Sequence, residues 1–183
     1  MGLLGLGAAQ GLVGWWMVKS GLEEVPDRTR EPRVSPYRLA AHLSMALTLY
    51  SGLMWQGWTA LNPTTVAGSK LLPLRGPALG VAHVVALTVF SGVLVAGNDA
   101  GRAYNDWPFY NEEWLPDKML KLTPTWRNFL ENTGTVQFDH RTMAYTTLGA
   151  TTGLAIVAAN KSIPYHAKMG LKATAMMAWS QVC

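Results

Sequence analysis

Apolar stretches without charge alternate along this chain with charged, proline-broken ones. Leu39 to Leu61 and Gly76 to Asn98 contain no Asp, Glu, Lys or Arg, and Met1 to Val18 and Thr142 to Asn160 repeat the pattern. A helix rising 1.5 Å per residue crosses a hydrocarbon layer of about 30 Å in roughly 20 residues. These four stretches therefore predict four full membrane spans, and Ala173 to Cys183 predicts a partial fifth. Their polar positions are mostly Gly, Ser and Thr, which let helices approach closely in lipid. A soluble helix would instead carry a polar stripe. Long apolar runs without alternation speak against a barrel, and lipid leaves the helix as the default spanning structure. The expected fold class is all-α, a polytopic transmembrane helical bundle.

Composition agrees. Only 14% of the 183 residues are charged, against 49% hydrophobic, where a soluble domain carries about 25% charged. The net charge of +4 is dispersed rather than clustered, so nucleic acid is not an expected partner and membrane lipid is. Lys70, Arg75, Lys161, Lys168 and Lys172 occupy connections that contain no acid. The opposite side, Gly21 to Pro36 and Asp99 to Asp139, holds all eleven acids together with seven Lys or Arg. The short acid-free connections are expected on the cytoplasmic or matrix side. Cys183 is the only cysteine, so no internal disulfide can form. Met1 opens directly into an apolar segment, and no signal or transit leader is expected.

The connections carry their own punctuation. Val25-Pro26, Glu31-Pro32 and Ser35-Pro36 break the first outer one, Pro36 marks the start of the second helix and Asn62-Pro63 its end. The outer loop from Asn98 to Asp139 is too long for a simple connector. It holds Tyr104, Trp107, Phe109, Tyr110, Trp114 and Trp126, which suit an interfacial aromatic belt or a lid over a site at the outer face. Leu115 to Leu122 predicts a short surface helix and Asn128 to Asn132 a further turn.

Ionisable residues at membrane depth mark function. His42 and His140 each lie near the outer end of a span running from outside to inside, with Arg38 and Arg141 beside them. That matched placement reads as an internal repeat. Imidazoles at one depth suit axial ligation of haem iron, and an arginine fork suits a haem propionate. The other reading is of interfacial histidines that meet water. His83 sits about 10 Å in from the opposite surface, where a hydrogen-bonded packing role is expected. His166 follows Pro164 in an inner connection and is expected to be solvated. No Cys-x-x-Cys-His, nucleotide-binding glycine loop or pair of aspartate-rich diphosphate motifs is present.

Longer strings carry a family resemblance. Gln10-Gly11-Leu12-Val13-Gly14-Trp15-Trp16-Met17-Val18-Lys19-Ser20-Gly21-Leu22 resembles a signature helix of haem A synthases, and Val34 to His42 resembles the start of that family's next helix. Val95 to Gly101, Tyr104-Asn105 and Pro108 are similar to its large outer loop, and Arg127-Asn128-Phe129, Glu131-Asn132 and Val136 to Arg141 continue the match. Asn98, where leucine is common, Arg102 and Phe109-Tyr110 depart from the pattern.

The resemblance implies eight helices in two pseudo-symmetric four-helix halves, each holding haem between two histidines. The residues 1–61 would end the first half, and 76–183 would begin the second with the outer loop 98–139, all within one integral membrane region. It further implies oxidation of a methyl group of haem O to the formyl group of haem A for cytochrome c oxidase assembly, by two hydroxylations and loss of water. His42 would be an axial ligand in the substrate half and His140 one in the half that holds haem b, with Arg38 and Arg141 as cofactor-binding partners. No catalytic residue is expected in this segment. The helices that bear the other histidines and a key glutamate are expected outside it, so the chain is expected to be a fragment, inactive alone. Implied partners are a haem O synthase, a ferredoxin-like electron donor and a second copy of the chain. The implied location is the mitochondrial inner membrane, or a bacterial plasma membrane. A bis-histidine membrane cytochrome that transfers electrons without modifying haem is the alternative function.

Overall fold

A computed structural model describes residues 2–22, 33–61 and 68–182. Six α-helices and two 3₁₀ turns make up its regular structure: α1 Gly2–Gly21, α2 Pro36–Leu61, α3 Gly68–Gly97, α4 Asn128–Glu131, α5 Thr133–Ala159 and α6 Tyr165–Val182, with 3₁₀ turns at Ala100–Arg102 and Thr125–Arg127. Among the described residues the only β-pairing is an isolated bridge between Tyr110 and Glu113. The all-α expectation holds.

Two stretches, Pro73–Gly97 and Thr133–Ala159, are long and apolar enough to cross a membrane. Their mean hydropathies are 2.2 and 1.2, and only 11% and 17% of these windows is buried within the chain. The core helix of a soluble protein would be mostly covered. Here apolar side chains such as Leu87, Phe90, Ile156 and Val157 point outward.

Several helices extend beyond the expected spans. The sequence pattern puts Asn62 to Arg75 in a connection, yet α3 begins at Gly68 and takes in Pro73 and Pro77. The outer loop, expected to reach Asp139, ends where α5 starts at Thr133. The helix α6 starts at Tyr165 rather than near Ala173, so His166 belongs to its first turn instead of a connection. Charge marks where lipid would end, whereas backbone hydrogen bonding continues through Lys and Arg, which are good helix formers. The α2 start at Pro36 and its end at Leu61 agree with the sequence. The proline breaks at Pro26, Pro32 and Pro63 lie outside the described residues.

The chain falls into two compact units, Met1–Pro63 with Gly92–Phe138, and Thr64–Ser91 with Asp139–Cys183. In the first unit, α1 and α2 pack antiparallel. Gly7 faces Leu49, Gly14 faces His42, Gly21 faces Val34, and Gly52 meets Leu3. Gly7 and Gly14, seven residues apart, present one bare face of α1 to α2, and Gly21 meets the Arg33-Val34 segment just before it. The first unit also contains the outer loop, which has a core of its own. Ala100, Asn128, Thr135 and Val136 are almost fully buried there. Asn128 Nδ2 donates to the Leu122 and Thr125 carbonyls, each at 2.9 Å, and its Oδ1 accepts from Leu122 N–H at 2.8 Å. Asn132 caps α5, its Oδ1 accepting from Thr135 N–H at 3.0 Å. The Asn128 to Asn132 turn thus forms as α4 and its cap. Leu115 to Leu122 is not the expected helix. Leu120 stands at φ 55 and closes a turn, its N–H donating to Thr135 Oγ1.

In the second unit, Leu74, Leu154 and Ala158 form a core with Ala78, Val81, Ile163 and Leu171 around it. Lys168 Nζ donates to the Ala159 carbonyl at 2.9 Å, a cation on the negative end of α5.

Two outcomes follow for the outer loop. Asn128→Ala leaves backbone groups of Leu122 and Thr125 unpaired in a buried site, and the expected loss is about 2–4 kcal/mol, measured by denaturant unfolding of the full-length protein in detergent. The second concerns pH. Burial, then the hydrogen bond to Asp117 at 2.7 Å, pushes the Tyr104 phenol from 10.0 up to about 12. The same bond holds the Asp117 carboxyl below its ordinary 3.8. A raised phenol stabilises the fold fully below 10.0 and loses that as pH climbs through about 12. A lowered carboxyl stabilises above 3.8 and loses that as pH falls through its folded value. Tyr104→Phe should shift the acid edge of the unfolding profile upward and remove the phenol's share of the alkaline edge; an unchanged profile would show that the pair adds nothing to stability.

Candidate functional site

Each candidate histidine is best described within its own unit. In the first unit, α2 carries Arg38 and His42 four residues apart, on one face of the helix. The bare backbone at Gly14 lets the His42 ring lie against α1. A Cβ on Gly14 would stand 2.9 Å from His42 Cε1, 3.4 Å from Nδ1 and 3.6 Å from Nε2. Gln10, one turn before Gly14, donates from Nε2 to the His42 carbonyl at 3.1 Å. Two atoms of this cluster, His42 Nδ1 and Gln10 Oε1, are buried without a hydrogen-bond partner. Buried polar atoms are nearly always paired, and leaving one unpaired costs about 1–3 kcal/mol. Arg38 is engaged with α1: its guanidinium donates to the Trp16 carbonyl at 3.1 Å and lies 4.9 Å from the Trp16 ring.

In the second unit, His140 lies seven residues after the start of α5, about 10 Å along the helix. His42 lies six residues into α2, so the repeat in sequence persists as a repeat in helix register. His140 Nδ1 is 2.9 Å from Ser91 Oγ of α3. Thr88, one turn earlier, joins the same two helices, its Oγ1 lying 3.2 Å from the Met143 carbonyl and 2.7 Å from Thr147 Oγ1. Interhelical hydroxyl bonds of this kind hold membrane helices in register. Arg141, next along α5, is half-buried.

The donor set suits haem. Two half-buried imidazoles, one with an orphaned ring nitrogen over a bare glycine and one beside a hydroxyl, are the kind of protein group an iron porphyrin takes as axial ligand. A cluster site for a bare metal ion is a different matter: among the described residues no three His, Cys, Asp or Glu side chains gather.

His83 remains aside. It bonds through Nδ1 to the Leu79 carbonyl of its own helix at 2.7 Å but is exposed, so the expected hydrogen bond is present and the expected packing is not seen. His166 is exposed. The aromatic loop residues divide: Tyr104 and Tyr110 are buried, while Trp107, Trp114 and Trp126 are exposed. A cavity of about 480 Å³ opens beside Tyr104, Asp117, Lys118 and Glu131. An apolar cavity of about 720 Å³ lies between α3 and α6, beside Leu74, Arg75 and Leu171. Neither contains a histidine.

Three residues were not legible as site residues. Gln10 and Gly14 share a helix face at i and i+4, and a glutamine inside an apolar stretch is a signal in itself. Ser91 gives no such signal, because only packing pairs it with a histidine 49 positions away.

An all-helical membrane protein with a helix-borne histidine in each of its two units is the class that these observations define. The chain belongs to the family of cytochrome oxidase assembly proteins designated COX15-CtaA, whose model matches residues 1–183. It is 52% identical over 153 residues to "Heme A synthase COX15" of Arabidopsis thaliana, covering 80% of this chain and 33% of that protein. It is 44% identical to the Homo sapiens protein of the same name over 184 residues, covering 100% and 45%. It is 41% identical to "Heme A synthase" of Rhizobium etli over 170 residues, covering 92% and 44%. The chain thus spans less than half the length of these relatives. No solved structure matches it.

The seat of His42 can be tested by crowding it. Gly14→Val should destabilise the full-length protein by about 1–3 kcal/mol, read as a lowered thermal midpoint in detergent. Gly11→Val is the control, since a Cβ there meets nothing within 4 Å. Equal effects of the two would show that α1 does not need the bare face at Gly14.

Proposed function

We propose that this chain is part of a haem A synthase, an oxidoreductase that converts a methyl group of haem O to the formyl group of haem A for cytochrome c oxidase assembly. The observation that carries this reading is the pair of helix-borne histidines in the family's strings, His42 over Gly14 and His140 against Ser91. Relatives from plant, animal and bacterium that match most of this chain carry the name haem A synthase.

Bound haem would supply the iron-centred redox chemistry. The chain's own residues would hold and orient it. His140 is the proposed axial ligand of a resident haem b, and His42 that of the haem O substrate. Arg38 and Arg141, each adjacent to its histidine, are the proposed partners of haem propionates. Arg38 would exchange or share its bond to the Trp16 carbonyl in doing so. The opposing histidines and the catalytic groups would come from helices of the whole protein that the chain does not contain. The residues 1–61 would close the first four-helix half and 76–183 would open the second, with four full spans and a partial fifth. The setting would be the mitochondrial inner membrane, with haem O delivered by a haem O synthase, electrons supplied by a ferredoxin-like donor and self-association as the oligomeric form.

The test uses the full-length protein. His140→Ala should abolish the bound haem b spectrum. His42→Ala should retain haem b but stop haem A from accumulating, as read by haem extraction and chromatography. A normal haem spectrum in His140→Ala would overturn the ligand assignment. Bound haem with no haem A produced by the wild type would favour an electron-transfer cytochrome instead.

A further inference from the structure

A serine has one proton to give. Ser91 Oγ donates its proton to the Thr88 carbonyl, one turn back on α3, at 2.8 Å. A carbonyl only accepts, so in this bond the proton comes from the hydroxyl. The same Oγ lies 2.9 Å from His140 Nδ1. With the hydroxyl proton on the Thr88 carbonyl, the oxygen meets that nitrogen as an acceptor and Nδ1 brings the hydrogen. A neutral imidazole has one N–H, so Nε2 is left with the lone pair.

We propose that Ser91 is the positioning residue of His140, fixing its Nδ1–H tautomer so that Nε2 is the ligating nitrogen and raising that nitrogen's donor strength. This rests on the reading of His140 as an axial haem ligand. An acceptor on the far ring N–H holds a ligating histidine in one orientation and makes it more basic. The supporting frame is in the same unit. Thr88 ties α3 to α5 through Met143 and Thr147, which holds Ser91 opposite His140. His42 lacks such a partner, its Nδ1 being buried and unbonded. The two ligands are therefore unequal: the stronger donor serves the haem that stays, and the weaker one serves the haem that must leave.

The experiment compares Ser91→Ala, Ser91→Thr and His140→Ala in the full-length protein, reading haem occupancy, the haem b reduction potential and the paramagnetic resonance signal of ferric haem. Ser91→Ala should keep the histidine, weaken haem retention by about 10-fold to 100-fold and raise the potential, because a less basic imidazole stabilises ferric iron less. Ser91→Thr keeps a hydroxyl at the same place and should restore both. An unchanged potential, signal and occupancy in Ser91→Ala, with an empty site in His140→Ala, would overturn the role of Ser91 and leave the ligand reading intact. A potential that falls in Ser91→Ala would mean that the hydroxyl donates to Nδ1, and the tautomer assignment would be overturned. Haem b retained by His140→Ala would remove the ligand reading and the inference with it.

Discussion

In lipid a helix must keep its backbone hydrogen bonds to itself, and that constraint governs the rest of this structure. Helices that cannot be driven together by burying apolar surface must associate through close packing and scattered polar bonds. The contact between α1 and α2 uses the first device: Gly7 and Gly14 remove side chains from one face, and His42 fills the space at Gly14. The contact between α3 and α5 in the second unit uses the other, with Thr88 and Ser91 reaching Met143, Thr147 and His140. The groups that hold the helices are thus the groups that seat the histidines.

The outer loop obeys different physics. Water is available there, so irregular backbone is tolerated, and side-chain amides do the organising. Asn128 closes its segment with bonds to Leu122 and Thr125, Asn132 caps α5, and Gln137 Nε2 donates to the Tyr104 carbonyl at 2.9 Å. Apolar contacts add Leu94, Ala100 and Val136. Trp107, Trp114 and Trp126 are exposed on this loop.

The two histidines share a register but not an environment. His42 lies against backbone with an unbonded ring nitrogen, whereas His140 has a hydroxyl partner. In the proposed enzyme that difference separates a substrate site, where haem must exchange, from a cofactor site, where it must remain. A duplicated helix pattern supplies the shared register, and the neighbouring helix supplies the inequality.

Sequence by itself determined the helical class, because runs of about 20 uncharged residues admit no other spanning structure. It also determined His42 and His140 as candidates, since ionisable groups are rare in such runs, and the family, through strings distributed from Gln10 to Arg141. The ends of the helices were not legible, because charged residues close an apolar run without closing a helix: α3 continues back through Arg75 and Lys70, and α5 through Asp139. Nor was the turn at Leu120, where a positive φ overrides a composition that would suit a helix. Tertiary structure alone decided that Gly14 is the seat of His42 and that Ser91 is the partner of His140. Those pairings depend on how two helices rotate about their axes when they pack, and a one-dimensional pattern of apolar residues that surrounds the whole helix carries no information about that rotation.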